Sequence, residues 1–412
     1  MLQPRYDLVF LGGGCATLSL LTRLIESGIC SDKRFLIIDP SDKKSNDRTW
    51  CFWEKGTGYF EKLVHHEWSA LDFKQDGFSG GLDMGGYRYK MIRGIDFYEY
   101  CLQVLRASGQ VDFLQDEITD WRVEKTDSRG EKTHSAGGVH TVGDDEILFL
   151  TGKKTGKTSL KTDLIFNSIP PDLGKKQPGT VNLLQHFKGV IVESDQFNFD
   201  SQRATLMDFR VSQVEGTTFI YVLPLSKNKA LVEYTLFTAD LLSSEQYNQG
   251  IADYIKTYLG VSDYKIVEEE FGVIPMTSQQ FPWYTNGAFN IGTTGGQTKG
   301  SSGYTFQFIQ KRSAQLAALL QSNTDWAELK SALLQVQGDS RRFHFYDRVL
   351  LRVLAANYCP GDEVFATLFE KNPAHRVFQF LDNETNLLQE LQIISSLPTW
   401  PFLKAALKSW YS

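Results

Sequence analysis

The chain has 412 residues, of which 42% are hydrophobic and 22% are charged, and its formal net charge is −6. An acidic chain without a basic face is a poor partner for nucleic acid, so we exclude that class of function. No apolar run approaches the roughly 20 residues that a membrane-spanning helix needs. The five scattered cysteines lack the spacing of a metal or redox site, which predicts free thiols, no bound metal and a cytoplasmic location.

The N-terminal residues have the pattern of a dinucleotide-binding βαβ unit. A predicted strand over residues 6–11 runs into a glycine turn, in which Gly12 permits the tight bend and Gly14 lets a pyrophosphate approach the backbone. The helix that begins at Ala16 directs the positive end of its dipole at that phosphate. A second strand ends at Asp39, whose carboxylate is placed to accept a ribose hydroxyl. Such a unit suits FAD as well as NAD.

One position departs from this pattern. Thr17 stands where a third glycine is usual, so we expect the helix and the strand to pack slightly further apart. A glycine turn in another kind of α/β domain is the competing interpretation. A second glycine-rich segment, Gly292 to Gly303, favours the cofactor interpretation because it follows one predicted strand and precedes a predicted helix over 304–320. The start of that helix, at Gly303 and Tyr304, is expected to face a flavin.

The rest of the chain divides into strand-rich and helical segments. Residues 111–160 resemble a β-meander, and residues 182–275 are rich in predicted strands, interrupted by a helix over 244–259. We therefore predict an α/β fold: a Rossmann-like FAD-binding domain, an inserted antiparallel β-sheet substrate domain and C-terminal helices. The predicted boundaries are 1–180 and 286–323 for the two parts of the FAD-binding domain, 181–285 for the sheet domain and 324–412 for the helices.

Several short blocks occur in a fixed order along the chain: Asp7 to Ala16, Arg48 to Trp53, Phe166 to Pro171, Met207 to Arg210, Tyr221 to Pro224, Val232 to Thr235 and Ser302 to Tyr304. Together they resemble the bacterial lycopene cyclases, flavoproteins that form β-ionone rings at the ends of a linear carotenoid. The Met-Asp-Phe-Arg block is specific to the cyclases among flavoproteins, as is the Tyr-Val-Leu-Pro block followed by a Glu-containing strand. The loop over 298–302 departs from the family pattern, which leaves its flavin contacts open.

The resemblance implies a fold like that of aromatic hydroxylases and geranylgeranyl reductases. It implies FAD in its reduced form, with NAD(P)H as the reductant that keeps it reduced. Lycopene and related acyclic carotenoids are the implied substrates, converted to γ-carotene and then β-carotene without net redox change. An anionic reduced flavin also stabilises a carbocation, by about 4 kcal/mol at roughly 4 Å and an effective dielectric near 20.

Ring closure begins with protonation of a terminal alkene, so the site needs an acid that stays protonated near neutral pH. Glu233 is the candidate acid, because it lies in a predicted strand with Leu231 and Leu236 nearby, and desolvation would raise its pKa. The alternative is an outward-facing strand glutamate. Strand alternation places Glu233, Leu231 and Thr235 on one face and Val232 and Tyr234 on the other, which does not decide between the two.

Other residues of the matching blocks are candidates for the same site. Asp208 and Arg210 either act with Glu233 in the catalytic pocket or form a structural ion pair. Arg48 either neutralises a flavin phosphate or caps a loop. The candidate substrate pocket consists of Trp50, Trp53, Tyr221, Pro224 and Tyr234, although the two tryptophans also suit a core.

The substrate dissolves in lipid, so we expect peripheral association with a membrane surface. Aromatic residues make up 13% of the chain, and several lie in the C-terminal helical segments: Phe343, Phe345, Tyr346, Trp400, Phe402 and Trp410. They suit an interfacial face, or they pack the helices on the main domain. Two other functions compete with cyclisation: a redox flavoenzyme acting on an isoprenoid, such as a monooxygenase or a geranylgeranyl reductase, and a non-catalytic flavin- or carotenoid-binding protein.

Overall fold

The computed structural model describes residues 2–126, 145–170, 177–323, 325–336 and 341–410, so Pro171 of one matching block lies outside the described residues. The strands are β1 (Arg5–Leu11), β2 (Phe35–Ile38), β3 (Thr49–Glu54), β4 (His66–Trp68), β5 (Ala70–Gln75), β6 (Phe78–Gly81), β7 (Arg88–Arg93), β8 (Val111–Leu114), β9 (Ile118–Thr126), β10 (Asp145–Gly152), β11 (Gly156–Asn167), β12 (Asn182–Glu193), β13 (Arg203–Asp208), β14 (Thr217–Ser226), β15 (Lys229–Thr238), β16 (Lys265–Thr277), β17 (Tyr284–Thr285) and β18 (Ala288–Asn290). The helices are α1 (Cys15–Glu26), α2 (Gly94–Ser108), α3 (Ser244–Tyr258), α4 (Phe306–Ser322), α5 (Trp326–Leu334), α6 (Arg341–Ala355), α7 (Gly361–Lys371), α8 (Ala374–Leu381), α9 (Leu387–Ser396) and α10 (Thr399–Trp410).

The first sheet contains the predicted dinucleotide-binding unit. Its strands lie in the order β17-β18-β11-β1-β2-β8, and β10 and β9 extend it beside β11. β1 pairs in parallel with both β2 and β11, and α1 supplies the connection from β1 to β2. One face packs against apolar residues of α1, α2 and α4, including Leu18, Phe97 and Ile309. The predicted strand, turn, helix and second strand are confirmed.

The second sheet lines a large cavity with residues of β12, β14, β15 and β16. Its strands lie in the order β16-β12-β15-β14-β13-β5-β6, and all neighbours are antiparallel except β13 and β5. β5 and β6 come from the N-terminal segment that the sequence assigns to the FAD-binding domain. A small third sheet, β3-β7-β4, connects the two larger ones, since β7 contacts both α2 and β5.

Different helices cover the two faces of the second sheet. α3 packs on one face, where Tyr254 and Ile255 meet Val232 and Tyr234 of β15. α7 and α8 pack on the other face, where Phe365 meets Phe237 of the same strand. Because side chains alternate along a strand, neighbouring residues of β15 belong to different environments.

The helices predicted from sequence are present with small changes at their ends. The helix expected over 244–259 is α3, with a capping box at Ser243 and Gln246, and the helix expected over 304–320 is α4. Residues described beyond 324 form α5 to α10. Across the described ranges, no helix combines the length and apolarity that crossing a bilayer requires.

Candidate functional site

The glycine turn after β1 has the geometry that an extended phosphate needs. Gly12 has φ +96°, and a Cβ there would lie 2.4 Å from Ser168 Oγ, so only glycine fits. Gly14 is the N-cap of α1, and nothing stands within 4 Å of the Cβ it lacks. No described side chain caps this helix, which leaves its first N–H groups available to an anion.

A hydrogen bond joins the turn to the helix at Thr17, the position where a third glycine is usual. Thr17 is buried and its Oγ1 donates a hydrogen bond to the carbonyl of Gly12 at 2.7 Å, which ties α1 to the turn. Asp39 follows β2, and its Oδ2 accepts a hydrogen bond from the Gly13 N–H at 2.7 Å. Lys43 Nζ lies 3.0 Å from Asp39 Oδ1. The acidic residue is therefore beside the glycine turn.

The second glycine-rich segment lies against the first. Gly292 has φ +65°, and a Cβ there would be 3.3 Å from the Cβ of Ala16 at the start of α1. Gly303 has φ +71°, and a Cβ there would be 2.6 Å from Gln185 Oε1 on β12. Gly292 therefore lies beside the first glycine turn, whereas Gly303 lies against β12 of the second sheet.

A cavity of about 580 Å³ lies between the second sheet, the third sheet and the second glycine segment. This volume is within the range of natural ligand sites. Six of the residues predicted for the site line it: Arg48, Trp50, Tyr221, Glu233, Gly303 and Tyr304.

The walls of the cavity are aromatic. Trp50 contacts the rings of Phe97 at 5.1 Å and Phe306 at 5.8 Å. The hydroxyls of Tyr89 and Tyr304 are 3.4 Å apart, and burial raises the pKa of both far enough to keep them neutral. Tyr221, on β14, is neutral for the same reason, because burial raises its pKa well above the usual range. A ligand in the cavity would therefore contact aromatic ring faces and uncharged tyrosine hydroxyls.

Trp53 lies one layer behind these walls and does not line the cavity. Its ring packs against Tyr304 at 4.3 Å and stacks on Phe378 at 4.6 Å. Its Nε1 donates a hydrogen bond to Asp382 Oδ2 at 2.9 Å. Burial raises the pKa of Asp382 to about 6. The structure thus places Trp53 in the core, where it supports Tyr304.

Glu233, the predicted acid, is one of the acidic residues that line the cavity. It projects from β15 on the same face as Leu231, and Thr235 Oγ1 donates a hydrogen bond to its Oε1 at 2.8 Å. Burial first, and then the carboxylate of Glu270, raise the pKa of Glu233 to about 8. A carboxyl with this pKa is mostly protonated at neutral pH.

Glu270 is a site residue that the sequence analysis missed. It lies on β16 and lines the same cavity, and its carboxylate contributes to the raised pKa of Glu233. Thr49 Oγ1 donates a hydrogen bond to Oε2 of Glu270 at 2.8 Å. Burial raises the pKa of Glu270 as well. The available signal was strand pairing: Glu233 and Glu270 both pair with Gly189, from opposite sides of β12.

Besides Trp53, four residues predicted for the catalytic or substrate pocket are not brought to this cavity. Asp208 and Arg210 lie on the α3 side of the second sheet, where Asp208 Oδ2 accepts hydrogen bonds from Tyr254 Oη and Arg210 Nη2, both at 2.7 Å. The pair is a buried structural contact between β13 and α3. Tyr234 also packs under α3, because it follows Glu233 on an alternating strand. The carbonyl of Pro224 accepts a hydrogen bond from Trp68 Nε1 at 2.8 Å, outside the cavity lining.

Arg48 lies at the cavity margin and is about half exposed, with 54% of its side chain accessible. It pairs with the adjacent Asp47 at 2.8 Å, and its carbonyl accepts a hydrogen bond from Gly94 N–H at the start of α2.

The loop over 298–302, which departs from the family pattern, is held in place by polar contacts with α6. Buried Lys299 pairs with Asp347 of α6 at 2.9 Å, and Ser301 donates to the same carboxylate.

The site residues fit a flavin dinucleotide on two observations. The space at Gly14 and the uncapped start of α1 suit a pyrophosphate. In the cavity, Gln185 Oε1 is buried and has no hydrogen-bond partner among the described residues, although a buried acceptor ordinarily has one. An N–H donor of a bound ring would satisfy it. The residues placed to hold such a group are Gly12, Gly14, Ala16, Asp39, Gln185, Gly292, Gly303 and Tyr304.

Comparison with known proteins identifies relatives along nearly the whole chain. The family model described as "Lycopene cyclase protein" matches residues 7–407. Lycopene beta-cyclase of Pantoea ananas is 22% identical, in a match that covers 98% of each chain. The chloroplastic lycopene beta cyclase of Arabidopsis thaliana is 25% identical over 72% of this chain, and the match spans only 56% of the plant protein.

Solved structures with the same fold are flavoenzymes and their homologues. A geranylgeranyl bacteriochlorophyll reductase-like protein from Thermoplasma acidophilum superposes with a TM-score of 0.54 at 9% identity, covering 99% of this chain and 97% of its own. Aklavinone-11 hydroxylase in complex with FAD and aklavinone superposes with a TM-score of 0.51 at 12% identity, covering 78% of this chain and 63% of its own. At these identities the likeness establishes the fold, and the predicted fold class is confirmed.

Proposed function

The chain belongs to the lycopene cyclase family, and from this premise we propose that it is a lycopene β-cyclase. It closes the linear ends of lycopene to β-ionone rings, giving γ-carotene and then β-carotene, with no net redox change. The single observation that carries the proposal is the position of Glu233: its carboxyl lies in an aromatic cavity, where burial and the nearby Glu270 raise its pKa. Protonation of an alkene needs such an acid in such surroundings.

Glu233 starts the reaction by giving its proton to the CH carbon of the terminal trisubstituted double bond of lycopene. The O–H bond of the acid breaks, a C–H bond forms, and a tertiary cation remains on the neighbouring carbon. An internal double bond of the substrate attacks this cation and closes the ring. Loss of a ring proton then yields the new double bond. Thr235 holds Oε1 of Glu233 throughout, so the carboxyl keeps one orientation.

The cavity walls stabilise the transient positive charge. The faces of Trp50, Tyr221, Tyr304 and Phe306 surround the space beside Glu233, and each face contributes about 0.5 to 2 kcal/mol to a cation in contact with it. These apolar walls also exclude water, which would otherwise trap the cation as an alcohol. FAD, when bound in reduced form with NAD(P)H as the reductant, supplies a negative charge that stabilises the same cation.

We assign the binding of FAD to the two glycine segments. Gly12 and Gly14 with the start of α1 hold the pyrophosphate, and Asp39 accepts the ribose hydroxyls once the ligand replaces the Gly13 N–H as its partner. Gly303 and Gln185 face the ring system. Arg48 lies at the margin, where it balances negative charge on the cofactor.

A lipid surface is the proposed source of the substrate. One face of α10 carries Trp400, Leu403, Leu407 and Trp410, which are 46–79% exposed. The adjacent α9 adds Leu387, Leu388 and Leu391, which are 61–73% exposed. A helix face of this kind inserts between lipid headgroups. The other predicted aromatics pack among the helices: Phe343 is buried, Phe345 and Phe402 are partly buried, and Tyr346 donates a hydrogen bond to Glu390.

The direct test is expression in a host that accumulates lycopene, followed by chromatography of the pigments. The proposal predicts replacement of lycopene by γ-carotene and β-carotene. The likeness to reductases and hydroxylases makes a redox flavoenzyme the second candidate, and saturated or hydroxylated products would support it. An unchanged pigment profile, with the protein expressed and flavin bound, would indicate a non-catalytic binding protein.

A further inference from the structure

Glu233 and Glu270 face each other across a glycine. Both pair with Gly189 of β12, one from β15 and the other from β16, so their side chains leave the same face of the sheet in one row. A Cβ on Gly189 would lie 3.1 Å from Glu270 Oε1 and 3.1 Å from Leu231 Cδ1. The missing side chain is what lets the two carboxyl groups meet.

In both glutamates, a threonine binds one carboxyl oxygen, and the second oxygen is left to face the other glutamate. Thr235 occupies Oε1 of Glu233, and Thr49 occupies Oε2 of Glu270. Among the described residues, neither carboxyl forms an ion pair with a lysine or arginine. Two carboxyl groups in contact without a cation are stable only when at least one carries a proton.

A second cavity also reaches Glu270. It has a volume of about 120 Å³, enough for several water molecules, and we call it the outer vestibule. Its outer part is polar and includes Asn46, His65, Arg93, Lys229, Glu268 and Glu269, of which His65 and Glu269 are exposed. Three residues line both cavities: Thr49, Leu231 and Glu270. Glu233 lines only the larger cavity of about 580 Å³. Glu270 is thus the carboxyl that lines both the cavity of Glu233 and the outer vestibule.

We propose, on the basis of the cyclase function above, that Glu270 is the proton relay of the site: it shares one proton with Glu233 and exchanges it with water in the outer vestibule. Each cycle is balanced. Glu233 gives the shared proton to the substrate, and the carboxylate left on the pair accepts the proton that the ring later loses, so no electrons are transferred. Between cycles, Glu270 exchanges that proton with solvent.

The surroundings of the pair determine its titration. On the vestibule side the charged and titratable groups are His65, Arg93, Lys229, Glu268 and Glu269. His65 is exposed as a whole residue, but partial desolvation of its ring and the charge of Arg93 lower its pKa. Arg93 pairs with Asp96, Glu269 pairs with Lys188, and Glu268 accepts a hydrogen bond from Asn46. On the cavity side Cys51, Tyr89, Tyr221 and Tyr304 are all neutral because burial raises their pKa values. Arg48 and Asp47 also line the cavity, where they pair with each other.

The test is cyclisation in D2O by the wild type and by Glu270→Gln, with mass spectrometry of the product. The wild type should incorporate one solvent deuterium per ring, since its pair exchanges before each cycle. Glu270→Gln should incorporate at least threefold less, because the trapped proton is reused. Glu269→Gln is the matched control; it removes the neighbouring charge but does not touch Glu233, and it should behave as wild type. Full deuterium incorporation by Glu270→Gln would overturn the relay.

A second measurement does not require turnover. Infrared titration follows the carboxylic acid band that disappears in Glu233→Gln. Glu270→Gln removes a neighbouring negative charge, so this band should vanish about one pH unit or more lower than in the wild type. An unchanged titration would contradict the shared proton. If the wild type makes no cyclic product but the band still shifts in Glu270→Gln, the cyclase proposal is wrong. The shared proton between Glu233 and Glu270 is then still supported.

Discussion

Burial and a neighbouring carboxylate both disfavour the ionised form of Glu233, and its pKa rises from 4.5 to about 8. The acid form is present below that value and is lost as pH rises through it, so cyclisation should decline on the alkaline side. The same shift affects stability. The folded chain binds one more proton than the unfolded chain between the two pKa values, so Glu233 destabilises the fold progressively as pH rises through this window.

Glu233→Gln separates these two effects. The amide cannot donate a proton to an alkene, so we expect cyclisation to fall by about 100-fold or more. FAD binding should persist, because Glu233 is remote from the glycine turn. The melting temperature at pH 9 should rise relative to wild type and converge below pH 4. Pigment chromatography, flavin absorbance and thermal melts check these outcomes, and a variant with wild-type activity would remove Glu233 as the acid.

Sequence reasoning proposed Glu233 as the acid but did not find Glu270 beside it, and the cause is physical. Alternation along β15 shows which residues share a face with Glu233, yet it does not show which face meets a cavity. Glu270 ends a run of three glutamates that is typical of a solvent-exposed edge. Only the pairing of β12 with β16 shows that Glu270, rather than Glu268 or Glu269, stands opposite Gly189.

At the level of elements, β12 determines whether the two carboxyl groups can meet. It is paired on both sides, by β15 and β16, and Gly189 is the position where both partners carry the acids. The ends of elements were predicted well where glycines and alternating apolar residues mark them, as at α1 and α3. Asp208 and Arg210 were predicted for the pocket but lie under α3, because β13 has an irregular register between Thr205 and Asp208 that sequence does not show.

Gly189→Val tests this arrangement. A side chain at this position collides with Glu270 and Leu231, so it should separate the carboxyl groups and lower cyclisation by about tenfold or more. Valine favours strands, so the sheet should persist and FAD should remain bound. Gly80→Val in β6 is the matched control, since nothing stands within 4 Å of its missing Cβ. Equal activity of the two variants would argue against a role for the close approach.

The whole molecule combines a cofactor-binding half, an aromatic cavity and an exposed apolar helix face. A sequence motif predicted the cofactor-binding half, and the matching blocks predicted six residues that line the cavity. The sequence did not show which C-terminal aromatics are exposed. The C-terminal aromatics look alike in sequence, but four of the six pack inside, while Trp400 and Trp410 are exposed at 79% and 78%. The difference follows from which helix face meets α6, and α10 packs there through Ala405.

Replacing both exposed tryptophans by aspartate should weaken binding to phospholipid vesicles by more than tenfold, because two large apolar side chains no longer enter the lipid. Activity on lycopene dispersed in detergent should change little. Val214→Asp, at a position that is 88% exposed between β13 and β14, is the control and should bind vesicles as wild type does. Unchanged vesicle binding by the double variant would place the docking surface elsewhere.

The central claim is that a protonated carboxylic acid and a reduced flavin act together in one cavity without consuming electrons. The measurement is anaerobic turnover of lycopene by the purified protein, with product counted against reductant used. The account predicts retained FAD, cyclic product only when the flavin is reduced, and many rings formed per NAD(P)H oxidised. Equal turnover with oxidised flavin and no reductant, or one NAD(P)H consumed per product, would contradict it.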